Sequence, residues 1–219
     1  MVLSLPNPRG IGNKVGMDAL RTQLARRQAL LDAGARHVGW KVGADIPEVG
    51  EPVFGYLTSA SVGSLCLAGV REPRLEAELL IEVGAGVGVA IELVDVARPA
   101  GGADEIVAAN VFHVGAVLGR ERVPCVPAGA CARMLGRVCV VRVDVADVVE
   151  RIGRLLAECG ECLRSGDLIL GGSVIHVPAV AGPVRAAIDG VGVVDAVVTA
   201  SRPLTRESSR GERGGRCGW

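Results

Sequence analysis

The stretch that most restricts this chain is "PRLEAELLIEVGAGVGVAIELVDV", Pro73 to Val96. Arg74–Val83 and Val87–Val94 both read as strands, and the "GAGVG" between them is a turn signal. Side chains alternate faces along a strand. Leu75, Ala77, Leu79, Ile81 and Val83 therefore share one apolar face, and Glu76, Glu78 and Glu82 share the other. If the two strands pair, Glu92, inside the otherwise apolar "VAIELV", joins the acidic face. Two readings of that face stand at this point. In one it is the wet side of an ordinary amphipathic strand. In the other, Glu76, Glu78 and Glu92 surround a cation, because three clustered carboxylates repel without one. All-oxygen ligation suits hard cations, Mg²⁺ or Mn²⁺, with open positions for water or a chelating substrate.

The rest of the core must be built from small aliphatic residues. Of 219 residues, 49% are hydrophobic but only 2% are aromatic, a vocabulary of Val, Ala, Leu and Ile that suits sheets. The length is enough for one sizeable domain. A formal net charge of zero gives no general reason to expect nucleic acid or an anionic membrane surface as partner. No apolar run approaches the length of a membrane span, and "MVLSLPNPRGIGNK" lacks the order of a signal peptide, so a cytoplasmic location is expected. Seven scattered cysteines do not suggest a complete disulfide framework, and "CGEC" at Cys159–Cys162 has no matching second pair. Of 24 basic residues only Lys14 and Lys41 are lysines. In a chain that otherwise writes Arg, a retained lysine suggests a use for a compact, titratable amine.

Along the chain, Asp18 to Ala33 reads as a helix stopped by Gly34. His37 to Ala44 reads as a short strand, and "EPVFGYLTSASV" as a loop with a brief extended piece. Gly102 to Gly119 reads as a helix followed by a glycine-broken segment. Arg137 to Val145 is a strand candidate, and Ala146 to Cys159 an amphipathic helix. Ser165-Gly166-Asp167 reads as a turn before an apolar strand that runs into Gly171-Gly172. "GVGVVDAVV" reads as the last strand. Residues 1–200 are expected to form one catalytic-type domain and 201–219 a polar, disordered tail. Strands mixed with a few helices, without regular alternation, predict an α+β fold.

"GWKVGA", "EPVFGYL", "PRLEAELLIEVG", "VAIELVDVA", "DEIVAANVFHVGAVLG", "LRSGDLILGGS" and "GVGVVDAVV" occur in this order. From about residue 18 to residue 197 the chain thereby resembles the 2-keto-4-pentenoate hydratase and 4-oxalocrotonate decarboxylase branch of the fumarylacetoacetate hydrolase superfamily. The resemblance implies a mixed β-sandwich roll with flanking helices. It implies a divalent metal, Mg²⁺ or Mn²⁺, on Glu76, Glu78 and Glu92, and an active-site lysine at Lys41. It implies a lyase acting on a small 2-oxo or 2-hydroxydienoic acid, with hydration placed ahead of decarboxylation or carbon–carbon bond hydrolysis. A homo-oligomer, or a complex with a homologous subunit, is also implied.

The sequence departs from the family pattern in places. Ala60 stands where an acidic residue is usual. "ANVFHVG" keeps Asn110 but introduces His113, and "GGSVIH" keeps Ser173 but introduces His176. Asn110 and Ser173 are accordingly expected to bind substrate, Lys41 to act in proton transfer or carboxylate binding, and His113 and His176 to be catalytic. His37 is read as structural. The segment between Gly119 and Ala146 is short for the family's usual hairpin. With Ala60, this supports an alternative of another class, a non-catalytic binding subunit.

Overall fold

A computed structural model describes residues 15–43, 46–50 and 52–201. The expected tail lies outside the described residues from position 202 onward. Helix α1 (Met17–Asp32) precedes strands β1 (His37–Gly43), β2 (Val53–Thr58), β3 (Leu65–Cys66), β4 (Pro73–Glu82) and β5 (Gly86–Asp95). Then come α2 (Gly102–Ala108), β6 (His113–Leu118), β7 (Cys131–Met134), β8 (Arg137–Val140) and α3 (Val145–Glu158). Strands β9 (Leu168–Pro178), β10 (Gly182–Ile188) and β11 (Gly192–Thr199) complete the fold. No helix among the described residues is long and apolar enough to cross a membrane.

The strands form a six-stranded sheet ordered β2-β1-β9-β4-β5-β6 and a five-stranded sheet ordered β3-β11-β10-β7-β8. The main core joins them. Leu75, Ala77, Leu79 and Ile81 of β4 pack in one cluster with Val87, Val89, Ile91 and Leu93 of β5, and with Val184, Ala186 and Ile188 of β10. Helix α3 closes an end of this core through Val148, Ile152 and Leu156, and Asp144 caps it by accepting from the backbone N–H groups of Ala146 and Asp147. Among the described residues this is an α+β fold with two packed sheets and three helices, as the mixture of elements predicts.

Four segments differ from the sequence reading. "VFGYLT" is a full strand, buried along its whole length. Its flanking Pro52 and Ser59 read as loop punctuation, but its own Val, Phe, Tyr and Leu fill both faces. Strand β9 does not stop at Gly171-Gly172 but runs through them to Pro178. The strand candidate Arg137–Val145 stops at Val140, where β8 closes a short hairpin with β7 from Cys131↔Val140 to Met134↔Arg137, and Val145 already belongs to α3. The glycine-broken segment after α2 becomes a turn and then β6.

The outer face of the six-stranded sheet is not wet. Leu80 of β4 sits fully buried among Leu57, Ala90, Ala116 and Leu170. The even-numbered side of β4 therefore carries a buried apolar residue beside its carboxylates. Glu82, at the strand end, accepts from Arg122 Nε at 2.8 Å.

Candidate metal and ligand site

Two neighbouring strands bring the acidic residues together, and a third adds a histidine. Glu76 on β4 lies opposite Glu92 on β5 and opposite His176 on β9. Residues directly opposite in antiparallel strands share a face, so His176, Glu76 and Glu92 form a row across the sheet. Glu78 lies two residues further along β4, where the β9 pairing is irregular. At that irregularity Gly172, at φ 130°, turns its N–H to Glu78 Oε2 at 2.9 Å. The candidate ligand oxygens of Glu76, Glu78 and Glu92 all lie within 4.8 Å of one another.

Glu92 is completely buried. Its Oε1 accepts from Lys41 Nζ at 2.6 Å and from His113 Nδ1 at 2.6 Å. Its Oε2 is buried and has no hydrogen-bond partner among the described residues. A buried carboxylate oxygen without a donor is costly. A cation between the three carboxylates would satisfy it, and the all-oxygen donor set suits a hard divalent ion.

Charge explains the titration behaviour. Burial pushes the Glu78 carboxyl well above the usual carboxylate range, and neighbouring Glu76 and Glu92 push it further. Burial also opposes ionisation of Glu92, but Lys41 and His113 outweigh it and hold that carboxyl below its ordinary value. Burial works against the charged Lys41 amine, yet Glu92, Glu76 and Glu78 together raise it. Lys41 is thus an ammonium at neutral pH. It has three donors. One goes to Glu92 and one to the Val111 carbonyl at 3.2 Å, which leaves one N–H uncommitted among the described residues.

A cavity of about 360 Å³ opens beside these residues, with Lys41, Glu76, Glu78, Ser173 and His176 at its polar end. His176 gives its Nδ1–H to Glu76 Oε1 at 2.7 Å. Its Nε2 has no protein partner among the described residues. Ser173 lines the cavity, and its hydroxyl donates to the Ile175 carbonyl at 3.3 Å.

Two expected site residues stand elsewhere. Asn110 does not line the cavity. Its Oδ1 accepts from Tyr56 N–H at 2.7 Å and its Nδ2 donates to Tyr56 O at 3.0 Å, so its amide acts as a strand partner for β2. Gly55 permits that approach, since a Cβ there would stand 2.9 Å from Asn110 Oδ1 and 2.8 Å from Lys41 Cγ. His113 is also off the cavity wall, with a side chain only 2% exposed. It sits between Glu92 and Ser61 Oγ, which its Nε2 meets at 3.0 Å. Ala60 lies on the exposed turn just before Ser61, away from the cavity wall. The sequence reading missed the Ser61–His113–Glu92 chain, although "TSAS" and "VFHVG" do hold the polar groups that form it.

Between α2 and β6, Asn110, Val111 and Phe112 have φ of 68°, 54° and 63°. Three successive non-glycine residues in the left-handed region cost about 1–2 kcal/mol each. The surroundings hold them there: Val111 N–H bonds the Ile106 carbonyl at 2.9 Å, and the Phe112 carbonyl accepts from Asp95 N–H at 2.9 Å. The turn delivers the Val111 carbonyl to Lys41 and aims His113 at Glu92.

His37 belongs to another network. Arg27 Nη2 meets its Nδ1 at 3.3 Å, and its Nε2 meets Asp167 Oδ1 at 3.2 Å. A guanidinium only donates, so Nδ1 accepts and the ring proton is on Nε2, facing Asp167. Trp40 Nε1 also donates to Asp167, at 3.3 Å. This fits the structural role read for His37.

Neither a protein-family model nor a curated protein sequence matches the chain. Solved structures do match in fold. A 4-oxalocrotonate decarboxylase from Pseudomonas putida G7, complexed with magnesium and adipate, superposes with a TM-score of 0.68 at 22% identity, over 83% of this chain and 85% of that one. A 5-carboxymethyl-2-hydroxymuconate delta-isomerase from Mycobacterium smegmatis gives 0.54 at 18% identity, over 76% and 79%. A fumarylpyruvate hydrolase from Pseudomonas aeruginosa, in complex with Mn²⁺ and pyruvate, gives 0.51 at 18% identity, over 76% and 90%. The fold that these three enzymes share, which the motif order implied, is the fold of this chain.

Proposed function

We propose that the protein is a divalent-metal-dependent lyase that adds water to a small 2-hydroxydienoic acid through its 2-oxo tautomer. The observation that carries this reading is the convergence of Glu76, Glu78 and Glu92 with one buried oxygen, Glu92 Oε2, left without a donor. These three residues would hold Mg²⁺ or Mn²⁺, ions found in the fold-sharing decarboxylase and hydrolase structures. When bound, the cation supplies Lewis acidity toward negative charge developing on the substrate's 2-oxygen.

The chain's own residues divide the remaining work. Lys41 presents its uncommitted N–H to the substrate carboxylate as a fixed positive donor. Because its amine is held charged, it binds and donates rather than acting as a base. His176, oriented by Glu76 through Nδ1, exchanges protons at Nε2. Ketonisation moves the enol proton from the 2-oxygen to C5 and leaves a C3–C4 double bond conjugated with the 2-oxo group. His176 then takes a proton from water as the water oxygen bonds to C4, and a proton is delivered to C3. The product is a 4-hydroxy-2-oxo acid, and no other reactant is consumed. Decarboxylation of a vinylogous diacid, and hydrolysis of a carbon–carbon bond, would use the same electron sink.

The test is to follow loss of dienoate absorbance with metal-loaded protein, metal-free protein and Glu78→Gln. Turnover that needs both the metal and Glu78 is expected. Unchanged turnover in the metal-free protein overturns the reading. Metal-dependent binding without turnover across a panel of dienoates would assign the non-catalytic role instead.

A further inference from the structure

Strand alternation gives the five-stranded sheet two faces. Val184, Ala186 and Ile188 of β10, with Val194 and Val198 of β11, point into the core. The residues between them form the outer face. Across β10 and β11 it reads as three rows: Pro183 opposite Val197, Arg185 opposite Asp195, and Ala187 opposite Val193. Arg133 of β7 continues the Ala187 row to Val138 of β8, and Val140 lies two residues further along that strand. Seven large hydrophobic side chains are exposed among the described residues. Val138, Val140, Val193 and Val197 stand on this face, Leu135 and Val180 stand in the turns that border it, and Met17 alone lies elsewhere. Apolar surface gathered on one sheet in this way marks an interaction site.

The charges on the face cancel within it. Arg185 holds Asp195 by two bonds, Nε to Oδ1 at 2.6 Å and Nη2 to Oδ2 at 2.8 Å. Arg133 pairs with Asp189 in the turn after β10. A strongly acidic or strongly basic partner would meet both signs. A second copy of the chain presents the matching pattern. A half-turn about a line running along the strands, between β10 and β11, sets each Arg185 over the other copy's Asp195. It also sets Val197 over Pro183 and Val193 over Ala187. We infer that two copies pack this face against itself as an isologous dimer centred on the Arg185–Asp195 row. Antiparallel sheets stack in this way about 10 Å apart. Strands about 4.8 Å apart and up to seven residues long make a face roughly 20 Å by 20–25 Å. With its bordering turns, that is on the order of the ~800 Å² per partner that a stable interface buries. The cavity beside Glu76 opens on the far side of the other sheet, so this pairing leaves it open and does not depend on its chemistry.

Sedimentation equilibrium of the full chain tests this. The parent should be a dimer with a Kd in the micromolar range or tighter. Arg185→Asp and Asp195→Arg should each weaken association by roughly 100-fold or more, because each substitution sets like charges across the interface twice. Mixed in equal amounts, the two variants should form a heterodimer of near-parental affinity, since every Arg then meets an Asp. Val197→Asp should also separate the copies, and Met17→Asp, at the exposed apolar residue outside the face, should not. A parent that is monomeric at roughly 1 mM overturns the inference and leaves the face to another partner. So does a dimer that survives the charge reversals or Val197→Asp, and so does a mixture of the two folded charge variants that stays monomeric. If either charge variant loses the parent's circular dichroism spectrum, Val197→Asp decides alone.

Discussion

His113 and Glu92 meet at 2.6 Å through Nδ1 and Oε1, on the same oxygen that Lys41 reaches at 2.6 Å. Two donors on one oxygen fix the plane of the carboxylate and leave Oε2 as the oxygen available to a cation. Partners of this kind, behind a ligand, are worth about 10–100-fold in metal affinity. His113→Ala should therefore weaken Mn²⁺ binding by that order in calorimetry. His113→Asn, which keeps a donor, should recover part of it. Ser61→Ala, one step further back, should cost less than His113→Ala. Unaltered Mn²⁺ affinity in His113→Ala would show that Glu92 needs no such support.

Glu78 sets binding against stability. It is 3% exposed, repelled by both Glu76 and Glu92, and relieved in part by the Lys41 charge and the Gly172 N–H. Glu78→Gln relieves like-charge repulsion, so the metal-free variant should melt above the metal-free parent. The order should reverse with metal. At 100 times Kd, bound ion adds ~2.7 kcal/mol to the parent, or about 5–10 °C for a chain of this size. The variant should gain little. Thermal scans of both proteins with and without Mn²⁺ check this, and a metal-free variant that melts below the parent would contradict it.

Asn110 should register in stability before it registers in binding. Asn110→Ala strips the Tyr56 N–H and carbonyl of their partners and removes a residue suited to the left-handed region. Unpaired buried backbone groups cost about 1–3 kcal/mol each, so a loss of about 2–4 kcal/mol is expected in urea unfolding. Asn110→Asp keeps the acceptor and should lose about half as much. A change confined to substrate KM, with stability intact, would return Asn110 to the role expected from the sequence.

His37 predicts a dependence on pH. Burial holds its pKa below the ordinary 6.5, and Arg27 and Arg164 add to this against the opposing pull of Asp167. Above 6.5 neither the folded nor the unfolded chain carries this proton, so the residue adds no slope there. As pH falls below 6.5 the unfolded chain takes up the proton first. Stability declines until the pH reaches the lowered folded value. Urea midpoints at several pH values should fall less steeply for His37→Gln than for the parent. Parallel curves would remove His37 as the source.

What could be read from the sequence follows the range of each interaction. Glu76, Glu78 and Glu92 were legible because strand alternation and one tight turn relate them, and both operate within about twenty residues. Lys41 stood out through the arginine bias and the motif order. Asn110 was misplaced because its amide pairs with Tyr56, 54 residues away, and no local pattern records that bond. The sequence singles out His113 but not the direction of its side chain. Facing Glu92 rather than the cavity depends on a left-handed turn that Asn110 permits but that Val111 and Phe112 do not announce. Strand β2 was hidden because burial on both faces removes the polar alternation that marks a strand.

The row His176–Glu76–Glu92 crosses three strands and has no loop residue in it. Sliding β4 by a single position would turn Leu75 or Ala77 toward the cavity and the glutamates into the core. The cation affinity proposed for these glutamates therefore depends on native strand register. Recovery of tight Mn²⁺ binding after denaturation would count the molecules whose central hairpin has re-formed in alignment, without any spectroscopic label on the sheet.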